Sequence, residues 1–325
     1  MEKTLRGRRG RPELAELVFD ALCSGVNHGE LLSGLESSLL PTRRLCIRAL
    51  FASEAPDIEL ALACLDKERE PFLRALLFQG IVKAGAQVRD AVLVLLDDTF
   101  PPNRALALRY LRDHHDAELL PIALRLLMDK NAGIRALARE IVSTHQPDTD
   151  FRSFYLDALQ DGNASVILGL GEVGTQSDAA LAAPFLVNDV SAMVSAAMAT
   201  VMRLDAPRYA SIVTGMLRDE RLHIVKMAQR LVIKYRRADF ATVKAVLEET
   251  PYVTTQRRCV QLLYTASSKW ERLIYMLEAA ASDNVETQRV AWHCLSRWCK
   301  DFNKSYVLPS PQQSEQIEML LNQQP

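Results

Sequence analysis

The side chains best suited to bind a ligand in this sequence are bases that recur at helical spacing. Guanidinium and ammonium groups in a row attract carboxylates or phosphates and bind them through charge-assisted hydrogen bonds. The pattern predicts a surface for an acidic protein segment, with a phosphate backbone as the alternative ligand. The residues predicted to form it are Arg109, Arg112, Arg139, Arg203, Lys226, Arg230, Arg258 and Arg297.

A second basic group lies at the N-terminus, where four arginines, Arg6, Arg8, Arg9 and Arg11, fall within residues 1–11. The run Arg-Gly-Arg-Pro at residues 9–12 resembles the core of an AT-hook, which implies an arm that places arginine in a narrow minor groove of DNA. Acidic residues follow this run, so we favour a flexible, solvated arm over a DNA contact.

The three tryptophans, Trp270, Trp292 and Trp298, all lie in the last quarter of the chain. Exposed tryptophans are strong anchors for a partner, which makes them a candidate aromatic binding patch. Bulky residues can also cap the terminal unit of a repeat protein. Both interpretations stay open at this point, and capping is favoured.

No catalytic, metal or cofactor site is predicted. The sequence Gly-Leu-Gly-Glu-Val-Gly at residues 169–174 matches GxGxxG, but its glycines fall inside a predicted helix rather than after a strand. We expect them to permit close helix packing. The six cysteines are scattered, and His293, Cys294 and Cys299 fit no zinc spacing.

The composition excludes several classes of protein. The chain has 325 residues, 49% of them hydrophobic, and a formal net charge of -1. Disordered, collagen-like and disulfide-rich chains have different compositions. No apolar run reaches the ~20 residues of a membrane helix, and no secretory leader is visible, so a cytoplasmic protein without membrane insertion is expected.

An internal repeat of about 31 residues is the strongest signal for the fold. One column is acidic, Pro251 takes the place of one member, and extension backwards reaches Ser38. Arginine recurs six residues after many members of this column. The acidic column is Glu68, Asp98, Asp129, Asp161, Asp189, Asp219 and Asp283, and the arginines are Arg44, Arg74, Arg104, Arg135, Arg257 and Arg289.

Apolar residues eight and twelve positions after each acidic residue share one helix face, so each acidic residue precedes a helix with a buried stripe. Another helix precedes each acidic residue, and strand signals are absent. We therefore predict an all-α fold: a curved α-solenoid of about nine helix hairpins over residues 12–305. The tail, residues 306–325, is predicted to end in a short capping helix, Ser314–Asn322, docked through Ile317, Leu320 and Leu321.

The repeat resembles the HEAT repeat, most fully in Asp129–Ile134–Arg135 and Glu68–Leu73–Arg74. Its short period is similar to the HEAT-like units of phycobilisome lyases. The resemblance covers roughly residues 30–305. It implies that the acidic and arginine columns form a ladder between neighbouring repeats, and that second helices line a concave face.

From this resemblance and the absence of a catalytic motif we expect a non-enzymatic scaffold or adaptor that binds a protein partner along its concave face. The main alternative is a nucleic-acid-binding protein, including one like the DNA glycosylases built from HEAT-like repeats, using the basic groove and the N-terminal arm. A lyase or chaperone for a cofactor-bearing protein is a further alternative by analogy.

Overall fold

The structure, a computed structural model, describes residues 28–52, 55–84 and 89–322. Its regular elements within these ranges are helices, with no strand, which confirms the predicted all-α fold. The chain divides into two compact units, Met1–Thr149 and Asp150–Pro325. The predicted arm with Arg6, Arg8, Arg9 and Arg11 lies outside the described residues. The stacking of all repeats into one curved solenoid stays a prediction.

The described part of the first unit consists of helices that pack in consecutive antiparallel pairs. The second helix of each pair begins three residues after the first residue of the short turn that precedes it. The apolar stripes of both helices meet in a core that includes Leu77, Leu108 and Ile134. The helices are α1 His28–Leu35, α2 Leu40–Ala52, α3 Ile58–Lys67, α4 Pro71–Lys83, α5 Arg89–Leu95, α6 Pro101–Asp113, α7 Leu119–Leu126 and α8 Ala132–His145.

The second unit repeats this plan with more irregular first helices. Short 3-10 segments follow or replace parts of them at 158–161, 176–178, 183–187 and 216–218, and a further one at 302–304 follows the last second helix. The α-helices are α9 Phe151–Asp157, α10 Ala164–Val173, α11 Ala179–Ala182, α12 Ser191–Gly215, α13 Leu222–Tyr235, α14 Phe240–Glu249, α15 Val253–Ala266, α16 Lys269–Ala280, α17 Val285–Asp301 and α18 Pro311–Asn322.

A side-chain oxygen in the turn before most second helices accepts a hydrogen bond from the backbone N–H two residues later. Such a bond satisfies a donor that the approaching helix would leave unpaired. These turn residues are Ser37, Glu68, Asp98, Asp129, Asn188, Asp219, Thr250 and Ser282. The predicted acidic column is therefore displaced by one residue at Ser38, Asp189, Pro251 and Asp283.

The predicted ladder is present in the first unit. Arg74 binds Asp98 at 2.7 Å, and Arg104 binds Asp129 through two bonds of 2.8 and 2.6 Å. Each arginine also donates to the backbone carbonyl six residues before it, as Arg104 does to Asp98 at 2.7 Å. Arg74 and Arg104 thus each link the turn of their own repeat to the turn of the next repeat.

Three arginines predicted for this ladder lie elsewhere, because the register is displaced by one residue. The first rung is Arg43 bound to Glu68, and not Arg44. In the second unit Gln256 donates to the carbonyl of Thr250, six residues before it, where Arg257 was expected. Arg257 and Arg289 instead lie on the exposed side of their helices and share Glu286.

A different ion pair, in which only the carboxylate is buried, links α9 to the next repeat. Arg152 donates two bonds of 2.7 and 2.6 Å to Asp178, whose carboxylate also accepts from the backbone N–H and hydroxyl of Thr175. The bonds from Arg152 hold the pKa of Asp178 well below its usual range, against the opposing effect of burial. Asp178 is 1% exposed.

We expect acidification to remove the stabilisation that this carboxylate provides. Because the folded-state pKa is lowered, the contribution is complete above the ordinary pKa of about 4 and is lost as pH falls from there through the folded value. The measurement is the urea midpoint of the wild type and of Asp178→Asn between pH 7 and pH 3. The gap between the two proteins should narrow below pH 4, and a constant gap would contradict this assignment.

Helix α12 is divided by a kink at Asp205, whose φ of -148° and ψ of 63° are not helical, two residues before Pro207. Two of the GxGxxG glycines lie on α10 as expected, and Gly174 follows its last residue. A Cβ on Gly169 would come 2.2 Å from the Tyr155 ring, and one on Gly171 would come 2.7 Å from the Thr200 hydroxyl. The glycines permit close packing against neighbouring helices.

The predicted C-terminal helix is present and is one turn longer at its start, since Pro311 begins α18. It packs on α16 through Leu320, which is buried, and Ile317, which is half-buried against the core. Leu321 is 54% exposed and does not belong to the docking face, contrary to the prediction.

Candidate functional site

The second helices of the second unit lie side by side, with α12 against α13, α13 against α15 and α15 against α17. Positions 7, 11 and 15 after each turn residue are four apart, so they project from one side of a helix. We call this set the second-helix face. It comprises Ser195, Ala199 and Arg203; Lys226, Arg230 and Lys234; Arg257, Gln261 and Thr265; and Arg289, His293 and Arg297, all exposed or half-buried.

The second-helix face carries bases and no acidic residue. Two of its arginines, Arg257 and Arg289, share an ion pair with the nearby Glu286, whose pKa they lower to about 2, with Arg289 contributing most. The remaining five bases form no ion pair with any described residue. They are Arg203, Lys226, Arg230, Lys234 and Arg297.

The first helices of this unit carry acidic residues and bases in similar number. Glu248 and Glu249 end α14, and Glu271 and Glu278 lie on α16. Lys244, a base on a first helix, is paired with Glu278. The first helices are therefore close to neutral, and the excess of positive charge lies on the second helices.

The structure brings together four of the eight bases predicted for binding, namely Arg203, Lys226, Arg230 and Arg297. Arg258 turns inward instead, where its guanidinium donates to Gln229 at 2.7 Å. The other three, Arg109, Arg112 and Arg139, belong to second helices of the first unit. Arg112 is paired there with Asp113 at 3.0 Å and Glu140 at 3.6 Å.

Sequence reasoning missed Arg257 and Arg289 as members of this face and assigned them to the ladder. The signal that separates the two groups is the turn residue. Counted from Thr250 and Ser282, which accept the turn hydrogen bond, both arginines fall at position 7 and not at position 6. Position 6 is the inward position, held by Val225 and Gln256 among others.

Two of the three tryptophans form an internal cluster at the end of the second unit. The Trp270 ring lies 5.7 Å from that of Trp298, and both pack against Phe302. Trp270 donates to the carbonyl of Val307 at 2.8 Å, and Trp298 donates to that of Lys269 at 3.0 Å. These bonds attach the segment after α17 to α16.

Trp292 is separate from this cluster, and no ring contact joins it to another described aromatic residue. It is 54% exposed on α17. The proposed patch of three tryptophans is therefore divided, and Trp292 alone has the exposure of a partner anchor.

Three of the described cysteines, Cys46, Cys259 and Cys294, are buried thiols, whereas Cys299 is exposed. Burial raises the pKa of Cys259 to about 12 and also raises that of Cys294. A thiol with a raised pKa is a poor nucleophile at neutral pH. Among the described residues, no group of three His, Cys, Asp or Glu side chains is placed to hold a metal ion.

No protein-family model matches this sequence, and no curated protein shows significant similarity to it. Within the described ranges, no helix has both the length and the apolar character needed to cross a membrane.

Proposed function

We propose that this protein is a non-enzymatic scaffold or adaptor that binds an extended acidic segment of a partner protein on its second-helix face. The observation that carries the proposal is that five bases without ion-pair partners lie together there with no acidic residue among them. A positive surface potential of this kind raises the local concentration of anionic ligands and guides their approach.

We further infer that the repeats are HEAT-like and that the protein is cytoplasmic. Support for the repeat type comes from the first unit, where Arg74 and Arg104 join successive turns in the way that the HEAT-like resemblance implies. A second-helix face that presents bases is the corresponding binding surface.

The dimensions of the face suit a short segment. Four neighbouring helices at the usual spacing of 8–10 Å span about 30 Å. An extended chain rises about 3.3 Å per residue, so about nine residues would cross the face. Alternate acidic side chains of such a segment would point towards the bases.

The charge distribution favours a protein segment over a nucleic acid. The chain has a net charge of -1, and nucleic-acid-binding domains are commonly strongly basic. A segment of about nine residues stays within the basic face, and the nearly neutral first helices offer a longer polyanion no further attraction. Binding of a nucleic acid is therefore the alternative that the experiment must distinguish from binding of a protein segment.

The test is binding of a fluorescent ten-residue polyglutamate peptide and of a ten-nucleotide oligothymidine, each measured by anisotropy at 50 and 200 mM salt. We expect the double variant Lys226→Glu/Arg230→Glu to weaken peptide binding about 30-fold, since reversing two exposed charges costs roughly 2 kcal/mol. Peptide binding by the wild type should be tighter than oligonucleotide binding.

The matched control is Arg218→Glu/Lys244→Glu, which changes the net charge equally but alters bases paired with Glu249 and Glu278 away from the face. It should change peptide affinity less than threefold. Equal losses in both double variants would reject a localised site. Tighter binding of the oligonucleotide would replace the acidic segment by nucleic acid as the ligand.

A further inference from the structure

A buried tyrosine hydroxyl lies without a hydrogen-bond partner at the edge of the second-helix face. Tyr264, near the end of α15, is 5% exposed, and its hydroxyl is inaccessible and unpaired among the described residues. Burial of a hydroxyl without a hydrogen-bond partner costs free energy. Such groups are therefore rare in native structures, and each one calls for an explanation.

Two guanidinium groups from different helices flank this tyrosine. The guanidinium carbon of Arg272, in the first turn of α16, lies 4.7 Å from the centre of the Tyr264 ring. That of Arg297, on α17, lies 5.8 Å from the same centre. The three side chains therefore converge from three successive helices.

The guanidinium groups of Arg272 and Arg297 offer hydrogen-bond donors, and neither forms an ion pair with a described carboxylate. Arg272 gives one bond, of 3.2 Å, to the carbonyl of Ser267, while its Nε is buried and unpaired. Arg297 is exposed and forms no ion pair with a described residue. The two positive charges repel each other, so an anion between them would remove an unfavourable interaction.

The carboxylate of Asp301 lies within the field of both arginines but is engaged elsewhere. Asp301 binds Lys304 at 2.7 Å, and this bond is the main cause of its lowered pKa, with smaller contributions from Arg297 and Arg272. The field of both arginines reaches Asp301 without an ion pair to it. Among the described residues, neither arginine of the site therefore has an ion-pair partner.

We propose that Tyr264, Arg272 and Arg297 form a binding site for one oxyanion, a carboxylate or a phosphate group. The guanidinium of Arg297 is exposed and can turn to admit the anion, which then accepts from the Tyr264 hydroxyl, Arg272 Nε and Arg297. Guanidinium forks match both oxyanions in shape. The link to an acidic partner segment rests on the function proposed above, whereas the site itself is tested without any partner.

The experiment is calorimetric titration of the full-length protein with inorganic phosphate and, separately, with acetate, together with thermal melting of the ligand-free protein. Tyr264→Phe should weaken binding of the preferred ion about tenfold, as expected for loss of a hydrogen bond to a charged group. The same variant should melt at the wild-type temperature or above it without ligand, because it removes an unsatisfied buried hydroxyl.

Arg297→Gln should also weaken binding about tenfold, and Arg289→Gln is its control. Both arginines are exposed on α17, but Arg289 is already paired with Glu286, so its variant should change affinity less than twofold. The comparison of phosphate with acetate identifies which oxyanion the site prefers.

The proposal is overturned if the wild type binds neither ion, if Tyr264→Phe lowers the ligand-free melting temperature, or if the Arg289 and Arg297 variants lose affinity equally. Failure of this oxyanion site can be distinguished from failure of the second-helix face as a peptide-binding surface. The variant Lys226→Glu/Arg230→Glu should keep its affinity for the single ion within threefold while losing the polyglutamate peptide.

Discussion

Replacing Arg104 with methionine is expected to lower the free energy of unfolding by about 3–5 kcal/mol, the usual cost of breaking a buried ion pair from one side. Arg104 is 3% exposed and gives two bonds to Asp129 and a third to the backbone carbonyl of Asp98. Methionine retains much of the aliphatic volume but leaves the Asp129 carboxylate buried and without its counterion. Chemical denaturation monitored by circular dichroism measures the loss.

The control for this prediction is Arg125→Met. Arg125 pairs with Asp97 at 3.3 Å, but both side chains are mostly exposed, so its loss should cost less than about 1 kcal/mol. Adding Asp129→Asn to Arg104→Met should recover part of the stability, because it removes the unpaired charge. The ladder has no structural role of this kind if Arg104→Met costs no more than Arg125→Met.

Introducing valine at Gly169 is expected to destabilise the protein by about 3 kcal/mol or more. The first added carbon would lie 2.2 Å from the Tyr155 ring, which is fully buried and cannot move without displacing its neighbours. Overpacking of a filled core typically costs 1–3 kcal/mol, and two further methyl groups increase the clash. The thermal midpoint and the denaturant midpoint should both fall.

Gly215→Ala is the control, because nothing lies within 4 Å of an added Cβ at the end of α12. Alanine should stabilise that helix by about 0.4–1 kcal/mol, since it restricts the unfolded chain. A Gly169→Val protein with wild-type stability would remove the packing explanation and return the GxGxxG sequence to consideration as a ligand loop.

Much of the fold could be predicted because the repeat is encoded locally. Apolar spacing predicted that a helix follows each acidic residue of the repeat, as α4, α6, α8 and α13 follow Glu68, Asp98, Asp129 and Asp219. The register was harder, because the turn needs a side-chain oxygen rather than a negative charge. Ser37, Asn188, Thr250 and Ser282 meet that need, whereas a search for acidic residues selects their neighbours.

The candidate site was only partly predictable. Sequence identified bases on second helices, but it could not separate Arg258, which turns inward, from Arg257 beside it, without the correct register. The cluster of Tyr264, Arg272 and Arg297 has no sequence signature, since three helices must pack to bring it together. The division into two units likewise depends on packing between helices and not on local composition.

The most direct test of the central claim is to map where an acidic segment contacts the protein. A zero-length carbodiimide reagent joins lysine ammonium groups to carboxylates that touch them, so it can link the polyglutamate peptide to its binding site. We expect peptide attachment at Lys226 and Lys234 on the second-helix face, identified by mass spectrometry. Attachment at Lys244 or at lysines of the first unit, with Lys226 and Lys234 unmodified, would contradict the account.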